Sequence, residues 1–425
     1  MKEDRESGAS PSSKTSFMRR EQTLWFVTEA YYPDEVGTAY YMTKLAEGLA
    51  ASFNVRALCG FPIYDARGAK VPAEEIHGNV RIKRCRGTTF DKDRLFLRIV
   101  NLATISLSLF FHALTRFRKN DVALVVTSPP LLPFTIKAAC ALKRTKCILR
   151  IDDVYPEALI AAGMLNPRSA AAAFMRSLNK WLYRRVDAIV VMGRDMERLA
   201  RQSAAPVVKN ISMIPNWADV DEIFPIPKSQ NALLKELGQS DKFVVLCAGN
   251  MGRAQAIEMM FGAAERMKGN KGVHFLFIGS GAKRAWMDRE AKEKSLENVI
   301  ILDQRPRSDQ NNFLNACDIN LVSLVSGMTG AGVPSRLYNI MAAGKPVIAV
   351  APEDSEACRV VLEENIGWVV SPDRPDRLAE VIAAAASNPA RLADMGARAR
   401  SAARGKYSPA TVVNKYRELI GSLHA

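Results

Sequence analysis

The sequence predicts an α/β protein made of two doubly wound, largely parallel sheets, and three observations carry that prediction. Short continuous apolar runs alternate with longer amphipathic segments along nearly the whole chain. The pattern occurs twice, before and after the proline-bearing stretch FPIPKSQ at 224–230. The length of 425 residues, 48% hydrophobic and 24% charged, suffices for two separate cores.

Residues 1–20 are polar and Ser-rich without an apolar run, so they read as a disordered leader and not as a secretory signal. Next comes a strand at 24–28 (LWFVT), a helix from about Ala39 to Ser52, and strands at 54–60, 122–128, 146–152 and 187–193. Their hydrophobicity is continuous rather than alternating, as strands covered on both faces require. A second array follows, with strands at 243–249, 273–281, 298–303, 319–324, 346–352 and 367–372 separated by helical segments. The expected units are therefore a domain over 21–215, a linker over 216–240, a second domain over 241–405 and a final helix over 406–425. Ligands in such sheets bind beyond the carboxyl ends of the strands, which places the site in a cleft between the domains.

Composition removes several function classes. Gly 25 and Pro 21 exclude a collagen-like or low-complexity chain. Seven cysteines form no CxxC pair and leave one over, fitting buried thiols of a cytoplasmic protein better than a disulfide frame or a zinc site. The four histidines stand at no metal-ligand spacing, so no metal site is expected. Charge is lopsided: residues 1–215 carry 33 Lys and Arg against 20 Asp and Glu, a net +13 of the total +15. A basic half suits nucleic acid, an anionic bilayer or a phosphorylated substrate, and serves equally as a solubilising surface. The strongly apolar stretch 94–120, broken by Arg98, Asn101 and His112 and flanked by basic residues, reads either as a long helix packed inside the first domain or, the reading favoured here, as a partly buried helix with an exposed basic and apolar face suited to a membrane surface.

Four motifs carry chemistry. In EAYYPDEVGTAYY (29–41), Pro33 and Gly37 lead from a strand end into a helix whose first N–H groups are unpaired. In RIDDVYPEALIAAG (150–163), Asp152 and Asp153 leave an apolar strand side by side, where each shifts the other's proton affinity or accepts a sugar hydroxyl; capping of the helix near Pro156 accounts for one of them. LCAGNMGRAQAIE (246–258) sets Gly249, Asn250, Gly252 and Arg253 in a turn before a helix, resembling a diphosphate cradle but lacking the GK[ST] of a P-loop. In GMTGAGVPSRLYNIMAAGKP (327–346), Pro334 and Ser335 open a helix with Arg336 in its first turn, a second anion site on the same sheet edge. A departing diphosphate would use both cations in place of a metal.

Together with FLFIGSGAKR and IPNWADVDEIF, these runs resemble the GT-B glycosyltransferases of family 4, in particular the bacterial branch that builds exopolysaccharide, capsule and O-antigen units; the resemblance spans about Leu24 to Ile420. It implies two Rossmann-like domains facing across a cleft, and retaining, metal-independent transfer from a nucleotide sugar held by the C-terminal domain. It also implies that the final helix crosses back to the first domain. By position, Gly37 would lie near the donor phosphates or the transferred sugar, and Asp153 would face the reaction centre, with Asp152 where many relatives have histidine or glutamine. Arg253 and Arg336 would neutralise the leaving diphosphate. Gly279, Gly281 and Lys283 would line the nucleotide pocket, and Ser335 and Leu337 would offer backbone to phosphate. The family's two glutamates correspond here to Ala331 and Asn339, which leaves Asn339 as the residue for a ribose hydrogen bond.

The resulting expectation is a glycosyltransferase of cell-surface polysaccharide synthesis, needing no cofactor. Its partners would be a nucleotide sugar, a polyprenyl-diphosphate-linked acceptor bound by the basic first domain, and the anionic inner face of the plasma membrane. A nucleotide-sugar epimerase of similar fold is the alternative enzyme. A nucleic-acid-binding protein is the alternative of another class, disfavoured because the basic residues form no aromatic-interleaved recognition motif.

Overall fold

The computed structural model describes residues 22–91, 94–207 and 210–423. The leader expected over 1–20 lies outside them. Among the described residues the first sheet has eight strands: β1 (Thr23–Val27), β2 (Asn54–Gly60), β3 (Glu74–His77), β4 (Val80–Cys85), β5 (Val122–Val126), β6 (Lys146–Ile151), β7 (Ala188–Val191) and β8 (Asn210–Met213). Their spatial order is β3-β4-β2-β1-β5-β6-β7-β8, and all pairs are parallel except β3 with β4. The second sheet has six parallel strands: β9 (Phe243–Ala248), β10 (Val273–Ile278), β11 (Val299–Leu302), β12 (Ile319–Ser323), β13 (Val347–Val350) and β14 (Gly367–Val370). Its order is β11-β10-β9-β12-β13-β14. Strand order reverses at β1/β5 in the first sheet and at β9/β12 in the second, so a crevice opens at the carboxyl end of each.

The apolar runs form strands because each face of each sheet has a helical cover. Along β1, Leu24 and Phe26 enter one core while Trp25 and Val27 enter the other; along β9, Val244 and Leu246 part from Val245 and Cys247 in the same way. All seven cysteines are free and buried. Strands β3, β4 and β8 escaped the sequence reading. In β4 (VRIKRC) charged residues interrupt the apolar ones, with Val80 and Ile82 inside and Arg81 outside, a pattern that a search for continuous apolar runs passes over.

The segment 216–240 is not a free linker. Trp217 is buried in the first domain's core, whereas Ala218, Ile223, Leu233 and Leu234 are buried in the second. The chain thus crosses between Trp217 and Ala218. It crosses back near Tyr407, whose carbonyl accepts from Ala218 N at 2.8 Å. The final helix, Pro409–Ser422, is capped by Ser408 and inserts Val412, Tyr416 and Ile420 into the first core, each 0% exposed. Burial at that level contributes about 1.5–3 kcal/mol per large apolar side chain, so this return segment is firmly anchored.

The helix Leu95–Arg116 lies on the first sheet with Leu109 and Ala113 buried, while Phe96, Ile99, Leu107 and Phe111 form an exposed stripe along it. Its Phe96–Arg116 portion is long and apolar enough to cross a membrane by length and composition. Beside it the helices Leu132–Lys143 and Ala170–Tyr183 pack on the same face of the domain, with Phe134 stacked on Trp181 and Phe174 and Trp181 exposed.

Candidate active site

Residues expected at the site follow the carboxyl ends of β1, β6, β9, β10 and β12. The two domains touch here. Asp153 pairs with Gly332 as an isolated antiparallel bridge, and Val154 N donates to Ala331 O at 2.8 Å. To one side, buried Asp195 accepts from Gly330 N (3.0 Å) and Glu356 N (3.1 Å), and Arg194 binds Glu356 and Glu363.

On the first domain, Gly37 begins the helix Gly37–Ala50, and a Cβ at that position would meet nothing within 4 Å. The preceding Val36 supplies no side-chain cap. The first amide groups of this helix are therefore available to an anion. Thr38 Oγ1 donates to Asp152 Oδ2 at 3.3 Å, joining this turn to the acid pair. Asp152 also takes Arg150 Nε at 2.9 Å. Asp153 is open to the solvent of the cleft, yet surrounded by walls from both domains. Those walls, and then the neighbouring charge of Asp152, push its carboxyl up from 3.8 to about 6. Neither acid caps the short helix Glu157–Ala161, which begins after Pro156.

On the second domain, two glycine turns lie against each other. Gly249 N donates to Ile278 O, Met251 N to Ser280 O, and Lys283 N to Met251 O. A Cβ on Gly279 would stand 1.9 Å from Gly249 O, and one on Gly281 2.6 Å from Asn250 Oδ1, so only glycine permits this approach. Arg336 reaches across the same turn, donating from Nη1 to Ala248 O (2.9 Å) and from Nη2 to Gln255 Oε1 (2.7 Å). Gln255 is also held by Ser323 Oγ at 3.2 Å. Arg253 is exposed on the turn, and no ion pair to a described residue holds it. The two arginines thus belong to one edge of the second sheet, one braced by the turn and the other open to solvent.

Arg253 stands in the turn, four residues ahead of the helix Ile257–Arg266. Other expectations change on geometry. The helix opened by Pro334 and Ser335 is Arg336–Ala342, only 7 residues, and its Leu337 N donates to Pro334 O at 3.2 Å. Leu337 N is therefore already engaged. Lys283 is pinned, its Nζ bonding Gln255 O and Glu258 Oε2 at 2.6 Å each, so its charge is matched within the domain. Asn339 is the clearest correction. It is 2% exposed, its Oδ1 accepts from Asp219 N at 2.9 Å and its Nδ2 donates to Asp219 Oδ2 at 3.1 Å. Both polar atoms of the Asn339 amide are thus engaged with Asp219.

Asp219 itself is a hub that the sequence reading quoted without a role. Its carboxylate accepts from Tyr40 Oη (2.9 Å), Trp217 Nε1 (2.9 Å), Asn339 and Arg307, and the Arg307 guanidinium lies 3.2 Å from the Tyr40 ring centroid. Residues of both domains thus meet on one buried acid. Arg150, Gln255 and Thr38 were also missed, although an arginine within the apolar run KCILRI was a visible signal. A cavity of about 450 Å³ beside this hub is lined by Lys44, Trp217, Val413 and Arg417, and none of the residues expected at the site lines it.

Two Rossmann-like sheets facing across such a cleft define the GT-B fold. Residues 36–217 match the glycosyl transferase 4-like domain and residues 229–402 match glycosyl transferases group 1. The chain is 32% identical over 362 residues to "Probable glycosyltransferase WbjE" of Pseudomonas aeruginosa, covering 84% of this chain and 88% of that one. It is 24% identical over 341 residues to "Putative colanic acid biosynthesis glycosyl transferase WcaI" of Escherichia coli K12, covering 77% and 82%. Among solved structures, sucrose-phosphate synthase of Thermosynechococcus elongatus superposes with a TM-score of 0.76 at 17% identity over 95% and 99% of the two chains. Anabaena HepE in complex with UDP-glucose superposes at 0.72 and 13% over 94% and 99%. The chain belongs to the family 4 glycosyltransferases, in the branch serving bacterial polysaccharide biosynthesis.

Proposed function

We propose that this enzyme moves a sugar, with retention at the anomeric carbon and without a metal ion, from a nucleoside diphosphate sugar to a polyprenyl-diphosphate-linked acceptor at the inner membrane face. The observation that carries the donor reading is the convergence of the Gly249–Arg253 turn, the Gly279–Gly281 turn and Arg336 on one sheet edge, opposite Gly37 and Asp153. Anabaena HepE, which shares the fold, forms complexes with UDP and with UDP-glucose, which supports a nucleotide sugar as the donor here.

As the glycosidic bond to the diphosphate breaks, negative charge grows on the departing oxygen. Arg253, the remaining N–H donors of Arg336 and the amides at Gly37 stabilise it without reorganising. Removing one such group costs roughly ten- to a thousandfold in rate. Asp153 faces the sugar from the other domain. Contacts at Asp153–Gly332 and Asp195–Gly330 hold the domains together, which excludes water and limits donor hydrolysis.

The membrane reading rests on the three-helix face of the first domain. Its exposed Phe96, Phe111, Phe174 and Trp181 lie among exposed Arg98, Arg144, Arg176 and Arg185, a surface suited to anionic lipid.

Incubating the enzyme with UDP- and GDP-sugars and a polyprenyl-diphosphate sugar, in EDTA, tests the whole reading. The expected product is a longer lipid-linked saccharide whose new bond keeps the donor's anomeric configuration by NMR. An inverted product, or activity restored only by a divalent ion, refutes it. Co-sedimentation with vesicles containing phosphatidylglycerol should fall when Phe96 and Phe111 become serine; unchanged binding removes that face from the reading.

A further inference from the structure

Strand β6 carries a guanidinium that the transfer step leaves unused. Arg150 is 2% exposed in a strand whose Cys147, Ile148, Leu149 and Ile151 are all 0% exposed. A buried cation of this kind persists only when it is paired and fully hydrogen-bonded. Here Nε donates to Asp152 Oδ1 at 2.9 Å, Nη1 to Tyr416 Oη at 3.2 Å, and Nη2 to Asn216 Oδ1 at 2.8 Å, with Met192 Sδ 3.6 Å from the same nitrogen. Its partners come from four places: the acid pair, the final helix, the crossing segment and the end of β7.

Stability alone does not account for this arrangement, because a well-packed apolar replacement of a buried ion pair is often neutral or stabilising. What the fork supplies is orientation. Asp152 is gripped on one oxygen by Arg150 and on the other by Thr38, next to Gly37. Thr127 Oγ1 accepts from Asp152 N at 3.1 Å and from Asp153 N at 3.4 Å. The position of one carboxylate relative to the other is thereby set from outside the cleft.

We infer that Arg150 is a positioning residue for sugar transfer, one that fixes Asp152 beside Asp153 and couples this acid pair to the docked final helix through Tyr416. The catalytic meaning of the inference rests on the reading of Asp153 as the acid facing the sugar; the placement itself does not need a donor to be tested.

Asp152 is the charged group acting on Asp153. Tyr155, pushed up from 10 to about 12 by its burial and then by Asp153, stays protonated across the range of interest, and the opposing Ala331–Gly332 backbone brings no titrating side chain. Titration of full-length chain labelled with carboxyl-¹³C aspartate, followed by NMR, therefore reports the geometry of the pair. The wild-type Asp153 signal should titrate at about 6. It should fall in Asp152→Asn, where the neighbouring negative charge is gone. Arg150→Lys keeps the charge but cannot make a planar three-way fork, so Asp152 turns away and the Asp153 midpoint should drop by about half a unit or more. In the Arg150→Lys/Asp152→Asn double variant no further drop is expected, since Arg150 acts through Asp152.

A wild-type midpoint in Arg150→Lys, or shifts that add in the double variant, overturns the inference. A residue that merely stabilised the fold would lower the melting temperature without moving this midpoint. Should Arg150→Lys fail to fold, Tyr416→Phe deletes one oxygen and decides alone: a smaller drop in the same direction supports the coupling and an unmoved midpoint removes it. In UDP- and GDP-sugar assays, Arg150→Lys should lower kcat about tenfold at unchanged donor KM. Absence of wild-type turnover with any of these donors would count against the donor reading while leaving the titration result standing.

Discussion

Replacing Asn339 by alanine separates a binding role from a structural one. The sequence motif suggests a ribose contact, whereas the structure shows both amide atoms engaged with Asp219 at 2.9 and 3.1 Å in a site that is 2% exposed. Asn339→Ala removes a hydrogen bond to a carboxylate, a class worth about 1.5–3 kcal/mol, and orphans the buried Asp219 N–H at a cost of about 1–3 kcal/mol. Asp219 keeps Tyr40, Trp217 and Arg307, so the hub weakens without leaving Arg307 unpaired. The net loss should be about 3–5 kcal/mol, a large part of the roughly 5–15 kcal/mol by which such proteins are stable. At about 2–4 °C per kcal/mol for domains of this size, the melting temperature should fall by roughly 10 °C. Calorimetric UDP and GDP affinities, measured well below the transition, should stay within about twofold of wild type. A melting temperature within about 2 °C of wild type, together with tenfold weaker nucleotide binding, would show that the amide serves the ribose after all.

Three further outcomes follow from the same geometry. Arg253→Ala should lower turnover by roughly ten- to a thousandfold while leaving thermal stability unchanged, because no ion pair to a described residue holds that side chain; Arg336→Ala should lower both, since it also releases Ala248 O and Gln255. Wild-type rates in either variant would dismiss the phosphate role. Gly279→Ala places a methyl 1.9 Å from Gly249 O on a residue at φ +151°, so about 2–5 kcal/mol of stability should be lost with nucleotide binding, as thermal denaturation and calorimetry would show. With Asp153 raised to about 6, its carboxylate is lost as pH falls through that value; a transfer rate that needs the ionised form should drop below about pH 6, and Asp152→Asn should carry this limb to lower pH. A limb that stays in place would mean that another group controls it.

Much of the fold was legible because parallel strands are covered on both faces: runs such as FVVLCA and VHFLFI have no solvent face and so announce themselves without an alignment. The strand β4, whose sequence VRIKRC is interrupted by charged residues, does not, which is one reason the first sheet holds more strands than the apolar runs suggested. Turn chemistry was equally visible. Gly279 and Gly281 stand where backbones approach too closely for any side chain, Gly249 takes a φ of +124°, and the acids leaving β6 do reach the interdomain contact.

What sequence alone determined, then, was the layered architecture, the strand ends that carry the candidate site, and the family, because these depend on local periodicity and on motifs contiguous in the chain. Only the tertiary structure decided which polar groups are already spent. Asn339 and Lys283 look available in a motif but are satisfied by Asp219 and Glu258, residues 120 and 25 positions away. Arg150 looks like a strand residue but joins the acid pair to Tyr416, 266 positions further on. A buried donor must find its acceptor wherever the fold brings one, and that pairing is set by three-dimensional proximity, which spacing along the chain does not encode.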